Sequence, residues 1–533
     1  MRDIRSVAVL GGGISGMTTA YYLAQRLPRT IPITLYESSE RLGGYLDSQT
    51  QYLDDGTGEK KHVVFEKGPR TLRVANTVSS VNMFDLIRRL DLVDELIVVP
   101  KTSTAARNRY IYYNGKINQV PYSLMSFVKY FFTEKIFRGI LPELIFEPFR
   151  RNKPKGLKDE SIGNFMSRRF GPKLTDRLVS GALHGIYAGD VYKLSIKSLM
   201  NSLWKRENTF GSVIPLWKSA SMKQEMAKTN TYEEKEKADL ARLLEENKEI
   251  MNSLSGASIV SFKKGIRSLV DNLEKSLLET ENIEVRLQEP VSALERAVDG
   301  IRIVTEKSSQ TFSHVFSALP ATMLANFTPS PLSEALINIP SVSVNVVNLF
   351  YKTPGLLPIT GFGYLLPRDV PRSDNPEYAL GVVFDSDTVS LDHGAGNVPG
   401  SFQDSATGTK LTVMLGGHWW NTERLPVSDS DEAIDLAKSL LKRHFGITEE
   451  PVLAQATFQE SCIPQYVVGH QANLETIHDA LLSQFHGRLI VDGASYLGVS
   501  VNDCVYYSRA IVDEVLDEDK AVTGLERKVI DSM

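Results

Sequence analysis

The stretch Val7-Ala8-Val9-Leu10-Gly11-Gly12-Gly13-Ile14-Ser15-Gly16 decides the fold of this chain. An apolar run ends in three glycines, and a fourth follows after two intervening residues. Twenty-one residues beyond Gly16, the run Ile33-Thr34-Leu35-Tyr36 ends in Glu37. Strand, glycine turn, helix, strand and acid, in that order, make up a dinucleotide site. Gly11 permits the tight turn, Gly13 lets backbone approach a pyrophosphate, and Gly16 lets the helix pack close to the strand. A helix through Met17 to Leu27 aims free N–H groups and a positive dipole end at the phosphates. Glu37 is then placed to accept from a ribose hydroxyl. The alternative is an empty glycine turn in a parallel sheet.

Composition narrows the rest. At 533 residues the chain is too long for one core and should divide into two or more domains. A net charge near −4 gives no positive field for a nucleic-acid backbone, so no nucleic-acid partner is expected. Two cysteines, Cys462 and Cys504, cannot build a disulfide framework, and nine histidines show no ligand spacing. No metal is expected. The first strand begins so early that no cleavable leader is expected before it. No run of ~20 apolar residues predicts a spanning helix.

After Glu37 comes Ser38-Ser39-Glu40-Arg41-Leu42-Gly43-Gly44-Tyr45. This resembles the Arg-x-Gly-Gly segment of the flavin amine oxidase superfamily, where the loop wraps the adenosine and pyrophosphate of FAD. Arg41 offers a fixed fork of donors for phosphate, and Gly43-Gly44 lets backbone lie against a cofactor. The other reading is an ordinary glycine turn with a surface arginine. The resemblance favours FAD, held noncovalently, over NAD.

The expected fold class is α/β: a discontinuous Rossmann-like FAD-binding domain, an α+β substrate-binding domain and a helical membrane-binding domain. The nucleotide unit is read at 1–90, 257–321 and 476–533. The strand-like stretches Ile283–Leu287 and His314–Ser317 belong to it, as does Gly487–Cys504 with the helix that follows. Residues 91–210 read as helix-rich and aromatic. Residues 322–475 hold runs such as Val342–Tyr351, read as antiparallel strands of the substrate domain. Residues 211–256 form a charged excursion, with 223–252 read as solvated or partly disordered helix without a catalytic role.

Further motifs are more restrictive. They include Glu66-Lys67-Gly68-Pro69-Arg70, Arg168-Arg169-Phe170-Gly171-Pro172 and Gly185-Ile186-Tyr187-Ala188-Gly189-Asp190. Gly361-Phe362-Gly363-Tyr364-Leu365, Ile463-Pro464-Gln465-Tyr466 and Gly498-Val499-Ser500-Val501-Asn502-Asp503-Cys504 complete the set. Together they resemble the eukaryotic-type protoporphyrinogen oxidase family over nearly the whole chain. The charged excursion and Lys67 depart from its pattern.

The resemblance implies FAD contacts at Gly11, Gly12, Gly13, Ile14, Ser15, Gly16, Glu37, Ser38, Arg41, Gly44 and Tyr45. It extends them to Gly68, Pro69, Arg70 and Thr71, to the backbone of Val291, and to Ala494, Val499, Ser500 and Val501 near the flavin. For the substrate it implies Arg109 on a propionate, Phe362 stacked on a tetrapyrrole ring and the Gly185 carbonyl near the reacting centre. The plainer readings are a surface cation, a core aromatic and a helix-end glycine. Implied activity is oxidation of protoporphyrinogen IX to protoporphyrin IX in three two-electron rounds, with oxygen as acceptor and hydrogen peroxide as product. Implied surroundings are the outer face of the mitochondrial inner membrane, a homodimer and hand-over to ferrochelatase. No residue stands out as a general base; Asp190 and Asp503 read as caps. Two rivals stay open: an amine or polyamine oxidase of the same fold, and a flavin-free GDP-dissociation-inhibitor-like prenyl-protein binder.

For the membrane surface, Leu124, Phe127, Val128 and Phe131 fall on one helical face within 121–149. Lys129, Lys135 and Arg138 interrupt that segment, and Arg150, Arg151, Lys153, Lys155 and Lys158 follow it. Such a segment suits the headgroup boundary. Burial between domains is the other reading.

Overall fold

The computed structural model describes residues 4–54, 59–122, 126, 130, 133–150, 152–215, 226, 231–389, 402–420, 422–518 and 520–529. Val7–Leu10 lies at the centre of a five-stranded parallel sheet. The strand order is Ile283–Arg286, Ile33–Tyr36, Val7–Leu10, His314–Ser317, Leu489–Val491. The three inner strands are buried along their whole length, as parallel strands covered on both faces must be. Helix Ile14–Arg26 packs against Val501–Asp517 and Arg267–Leu278. Strand order reverses at Val7–Leu10, and a crevice opens beyond the carboxyl ends at such a reversal.

A second, seven-stranded sheet carries the rest. Its order is Leu453–Pro464, Ser341–Tyr351, Thr409–Gly416, Ala379–Phe384, Gly363–Leu365, Arg109–Tyr113, Lys116–Gln119. Its core joins Val347, Leu349, Leu411 and Val413 to Ala433, Ala437, Leu440 and Leu441 of helix Ser430–Phe445. A three-stranded antiparallel meander, Val291–Ala297, Gly300–Thr305 and Ser309–Phe312, hangs between two strands of the parallel sheet. It was not foreseen.

Two expectations are corrected. Residues 91–210 are not simply helical, since Arg109–Tyr113 and Lys116–Gln119 form a hairpin in the seven-stranded sheet. The local signal was present: Asn114-Gly115, both at positive φ, between aromatic and β-branched runs. The charged excursion is helical and largely exposed, as read, but it is docked along one face. Thr231–Glu246 is a helix docked on Val78–Arg89, with Tyr232 and Leu243 buried. Ion pairs Lys235–Glu518 and Arg527–Glu236 tie it to the chain's end, so a weak apolar stripe suffices.

The apolar face Leu124, Phe127, Val128 and Phe131 lies outside the described residues. Among the described residues, no helix is long and apolar enough to cross a membrane.

Candidate active site

The crevice is built from the glycine turn outward. Helix Ile14–Arg26 starts at Gly13 with no side-chain cap, leaving its first turn of N–H groups for a ligand. Gly11 sits at φ 93°, a left-handed conformation that favours glycine. A Cβ on Gly16 would overlap the Gly11 carbonyl, whereas one on Gly13 would meet nothing within 4 Å. Close packing and open approach thus fall on the two glycines assigned to them. Ile14 and Ser15, between them, are buried.

Glu37 is locked across this turn. Its Oε2 accepts from Gly12 N–H at 2.7 Å, and its Oε1 accepts from Ser39 N–H at 2.7 Å and Ser38 Oγ at 3.3 Å. The Glu37 carbonyl takes Glu289 N–H at 2.9 Å, which brings the start of strand Val291–Ala297 alongside. Arg41 does not stand free. It donates to the carbonyls of Leu42 at 3.1 Å and Gly44 at 2.8 Å, fixing the loop. Gly43 N–H bonds Gly12 O at 2.8 Å, so that loop lies on the glycine turn. Next to it, Gly68 packs on the Tyr45 carbonyl, and Tyr45 Oη donates to Glu460 O at 3.0 Å. Burial lifts the Tyr45 phenol to about 12.

Gly68-Pro69-Arg70-Thr71 carries a role the sequence did not show. Arg70 Nη1 pairs with Asp385 at 2.7 Å, both buried, and Asp385 also accepts from Thr412 at 2.7 Å. The arginine thus joins the cofactor loop to the seven-stranded sheet. Its Nη2 is buried with no hydrogen-bond partner among the described residues. At the far end, Asp492 accepts from Thr19 at 2.8 Å and Ser508 at 2.6 Å. The turn at Gly493-Ala494 thereby closes over the first helix. Ser500 caps helix Val501–Asp517, accepting from Asp503 N–H at 3.1 Å, with Val499 just before it and Val501 just after. An uncapped helix end, an open glycine face, an acid at the second strand and an orphaned buried guanidinium N–H fit a flavin dinucleotide.

The substrate candidates meet on the seven-stranded sheet. Arg109 stands opposite Gly363 in parallel register, and its guanidinium lies 5.0 Å above the Phe362 ring. Two residues along, Leu365 packs on helix Ser180–Tyr187 at Gly185, where a Cβ would come within 2.9 Å of Leu365 Cδ2. Arg109, Phe362 and Gly185, far apart in sequence, therefore meet around the strand Gly363–Leu365. Desolvation, then the Arg73 cation, lower the Arg109 pKa.

Several functional contacts were not assigned from sequence. Gln465 Nε2 donates to the Tyr187 carbonyl at 2.8 Å, and Tyr466 Oη to the Ala494 carbonyl at 2.6 Å. Burial pushes the Tyr466 phenol well above its usual range, while burial and then Asp503 raise Tyr187. His184 Nε2 meets His418 Nε2 at 2.9 Å, and His184 Nδ1 meets the Leu366 carbonyl at 2.6 Å. Burial lowers His184 to about 4 and, with His184 beside it, His418 to about 2. The pair is neutral and pins the Gly185 helix to its strand. Asp190 pairs with Arg368 at 2.8 Å and also accepts from Tyr192 N–H at 2.9 Å. The motifs containing Tyr187, Asp190, Gln465 and Tyr466 were visible beforehand; His184, His418 and Arg368 were not.

A family model described as flavin containing amine oxidoreductase matches residues 14–516. The chain belongs to that family. Like other flavin containing amine oxidoreductases, it takes FAD as its cofactor. It is 37% identical to the protoporphyrinogen oxidase of Schizosaccharomyces pombe over 94% of this chain and 96% of that one. It is 32% identical to the human protoporphyrinogen oxidase, covering 96% and 98% of the two chains. A crystal structure from Exiguobacterium sp. 255-15 shares the fold, with a TM-score of 0.70, 23% identity and coverage of 96% and 99%.

Proposed function

We infer that this chain oxidises protoporphyrinogen IX to protoporphyrin IX, the activity named for its relatives. The observation that carries the reading is Arg109 lying 5.0 Å above Phe362, an aromatic and a cation brought together on the seven-stranded sheet. A flat apolar macrocycle with carboxylate tails needs an aromatic plate and a cation at its rim. A protonated amine would be repelled by that cation. Tyr496, the aromatic nearest the late glycine turn, is buried in the core and cannot face a substrate. The amine-oxidase reading loses ground on both counts, and the flavin site removes the prenyl-protein binder.

Flavin supplies hydride acceptance when bound. The protein's part is to orient and enclose. Arg109 holds a propionate, Phe362 supports a ring, and the Gly185 helix walls the site from the Leu365 side. Oxygen is the acceptor in this reading, with hydrogen peroxide as product. No side chain is required as a base, because pyrrole N–H protons can leave to water.

The surface supports attachment to one leaflet. Ile145, Phe146 and Phe149 are 59%, 60% and 74% exposed, and Arg138 and Arg150 lie close to them in sequence. Aromatic and basic groups together suit a lipid headgroup layer. An apolar substrate would reach the site from there.

The test begins anaerobically. Protoporphyrinogen added to the holoenzyme without oxygen should bleach the flavin band near ~450 nm, and admitting air should restore the band and, after the further rounds, yield porphyrin fluorescence. Bleaching by putrescine or benzylamine instead would overturn the reading.

A further inference from the structure

Arg109 has a neighbour of the same charge that no role yet explains. Arg73 ends the short strand Leu72–Arg73 and stands opposite Ile259 in antiparallel register. Ile259 packs with Val99, Ala105 and Phe362, the ring over which Arg109 lies. The two cations therefore flank a single apolar plate. Both side chains are solvent-exposed, and neither guanidinium has a hydrogen bond or ion pair among the described residues. Most arginines near the crevice differ: Arg41, Arg70 and Arg267 each have acceptors.

The backbone of Arg73 is held firmly. Its carbonyl accepts from Asn502 Nδ2 at 3.1 Å and from Ser80 Oγ at 2.9 Å. Asn502 lies in the first turn of the helix that opens at Ser500, so Arg73 is anchored to the flavin end of the crevice. Two like charges held together repel each other, and an anion between or beside them relieves that cost. The anchored backbone fixes the region the guanidinium can reach, and a free guanidinium gives up no protein partner on meeting a ligand.

The geometry points to Arg73 as a second carboxylate anchor: Arg73 and Arg109 together clamp the two acid groups of a dicarboxylic apolar substrate over Phe362. This rests on the functional reading above and deepens it. One cation would accept a monoacid as well as a diacid. Two cations on one plate select a molecule whose carboxylates leave the same edge, and disfavour one whose acids are spread around its rim.

The experiment compares protoporphyrinogen with its dimethyl ester, using flavin-replete wild type, Arg73→Ala, Arg73→Lys, Arg109→Ala and the double variant Arg73→Ala/Arg109→Ala. Wild type should prefer the diacid in kcat/KM. Arg73→Ala should lose roughly tenfold against the diacid, mostly in KM, and little against the diester. Arg73→Lys should recover much of that loss, because it retains the charge. Arg73→Ala/Arg109→Ala should show no preference between the two compounds. If Arg73→Ala depresses diacid and diester equally, the residue is structural and the clamp is overturned while the activity stands. A wild type that oxidises neither compound overturns the functional reading and the clamp with it.

Discussion

Tyr466 Oη donates to the Ala494 carbonyl at 2.6 Å, joining the end of the seven-stranded sheet to the turn that closes the nucleotide crevice. Tyr466 is buried, and its ring stacks on His470 at 4.1 Å between centroids. One side chain thus sets the distance between the substrate side and the flavin side.

Tyr466→Phe keeps the ring and orphans the Ala494 carbonyl. The cost should be ~1–3 kcal/mol, the penalty of an unsatisfied buried acceptor. Thermal unfolding and FAD titration of the apoprotein should both register it, as a lower Tm and weaker flavin binding. Flavin affinity equal to wild type would show that this bond does not shape the flavin end.

Arg109→Ala should raise KM for protoporphyrinogen more than it lowers kcat. Loss of a charge-assisted contact costs roughly 1.5–3 kcal/mol, or about tenfold to hundredfold in kcat/KM. The contact lies away from the reacting carbon, so most of the loss is uniform binding. Steady-state kinetics on flavin-replete enzyme decide it, and an unchanged KM removes Arg109 from the site.

Gly185→Ala places a methyl 2.9 Å from Leu365 Cδ2. Overpacking of this kind costs ~1–3 kcal/mol. The double variant Gly185→Ala/Leu365→Ala should recover part of that loss in a denaturant titration. Strict additivity of the two changes would show that they do not share the contact.

Burial raises Glu66 from its ordinary 4.5 to about 7, despite hydrogen bonds from Ser48 and the Ile266 N–H. The folded state then binds the extra proton between those two values, so the Glu66 contribution to stability falls as pH rises through that window. Glu66→Gln removes the titration. The variant should gain on wild type by up to roughly 3 kcal/mol between pH ~4.5 and ~7, and change no further above it. Glu514, also lifted to about 7 by burial, is present in both proteins and cancels in the comparison. Parallel stability curves for the two proteins would refute the assignment.

Phe146→Ser/Phe149→Ser should reduce cosedimentation with anionic vesicles while leaving FAD content unchanged, if these exposed rings rest on lipid. Binding equal to wild type would place the contact surface elsewhere.

The run Val7–Gly16 with Glu37 determined by itself that a dinucleotide crevice forms. Its glycines, strand and helix lie close along the chain and act through local sterics and hydrogen bonds. The Asn114-Gly115 hairpin was equally local, yet averaging over an aromatic, helix-rich region hid it. What only the tertiary structure decided are relations across distance. Arg70 pairs with Asp385, Arg109 comes to lie over Phe362 near Arg73, and Tyr466 reaches Ala494. The charged helix Thr231–Glu246 docks because Glu518 and Arg527, near the chain's end, meet its ions. Composition marks such side chains as polar and surface-seeking. Which counter-charge, carbonyl or ring they meet depends on the strand order and register that bring distant segments together, and no short window of sequence contains that information.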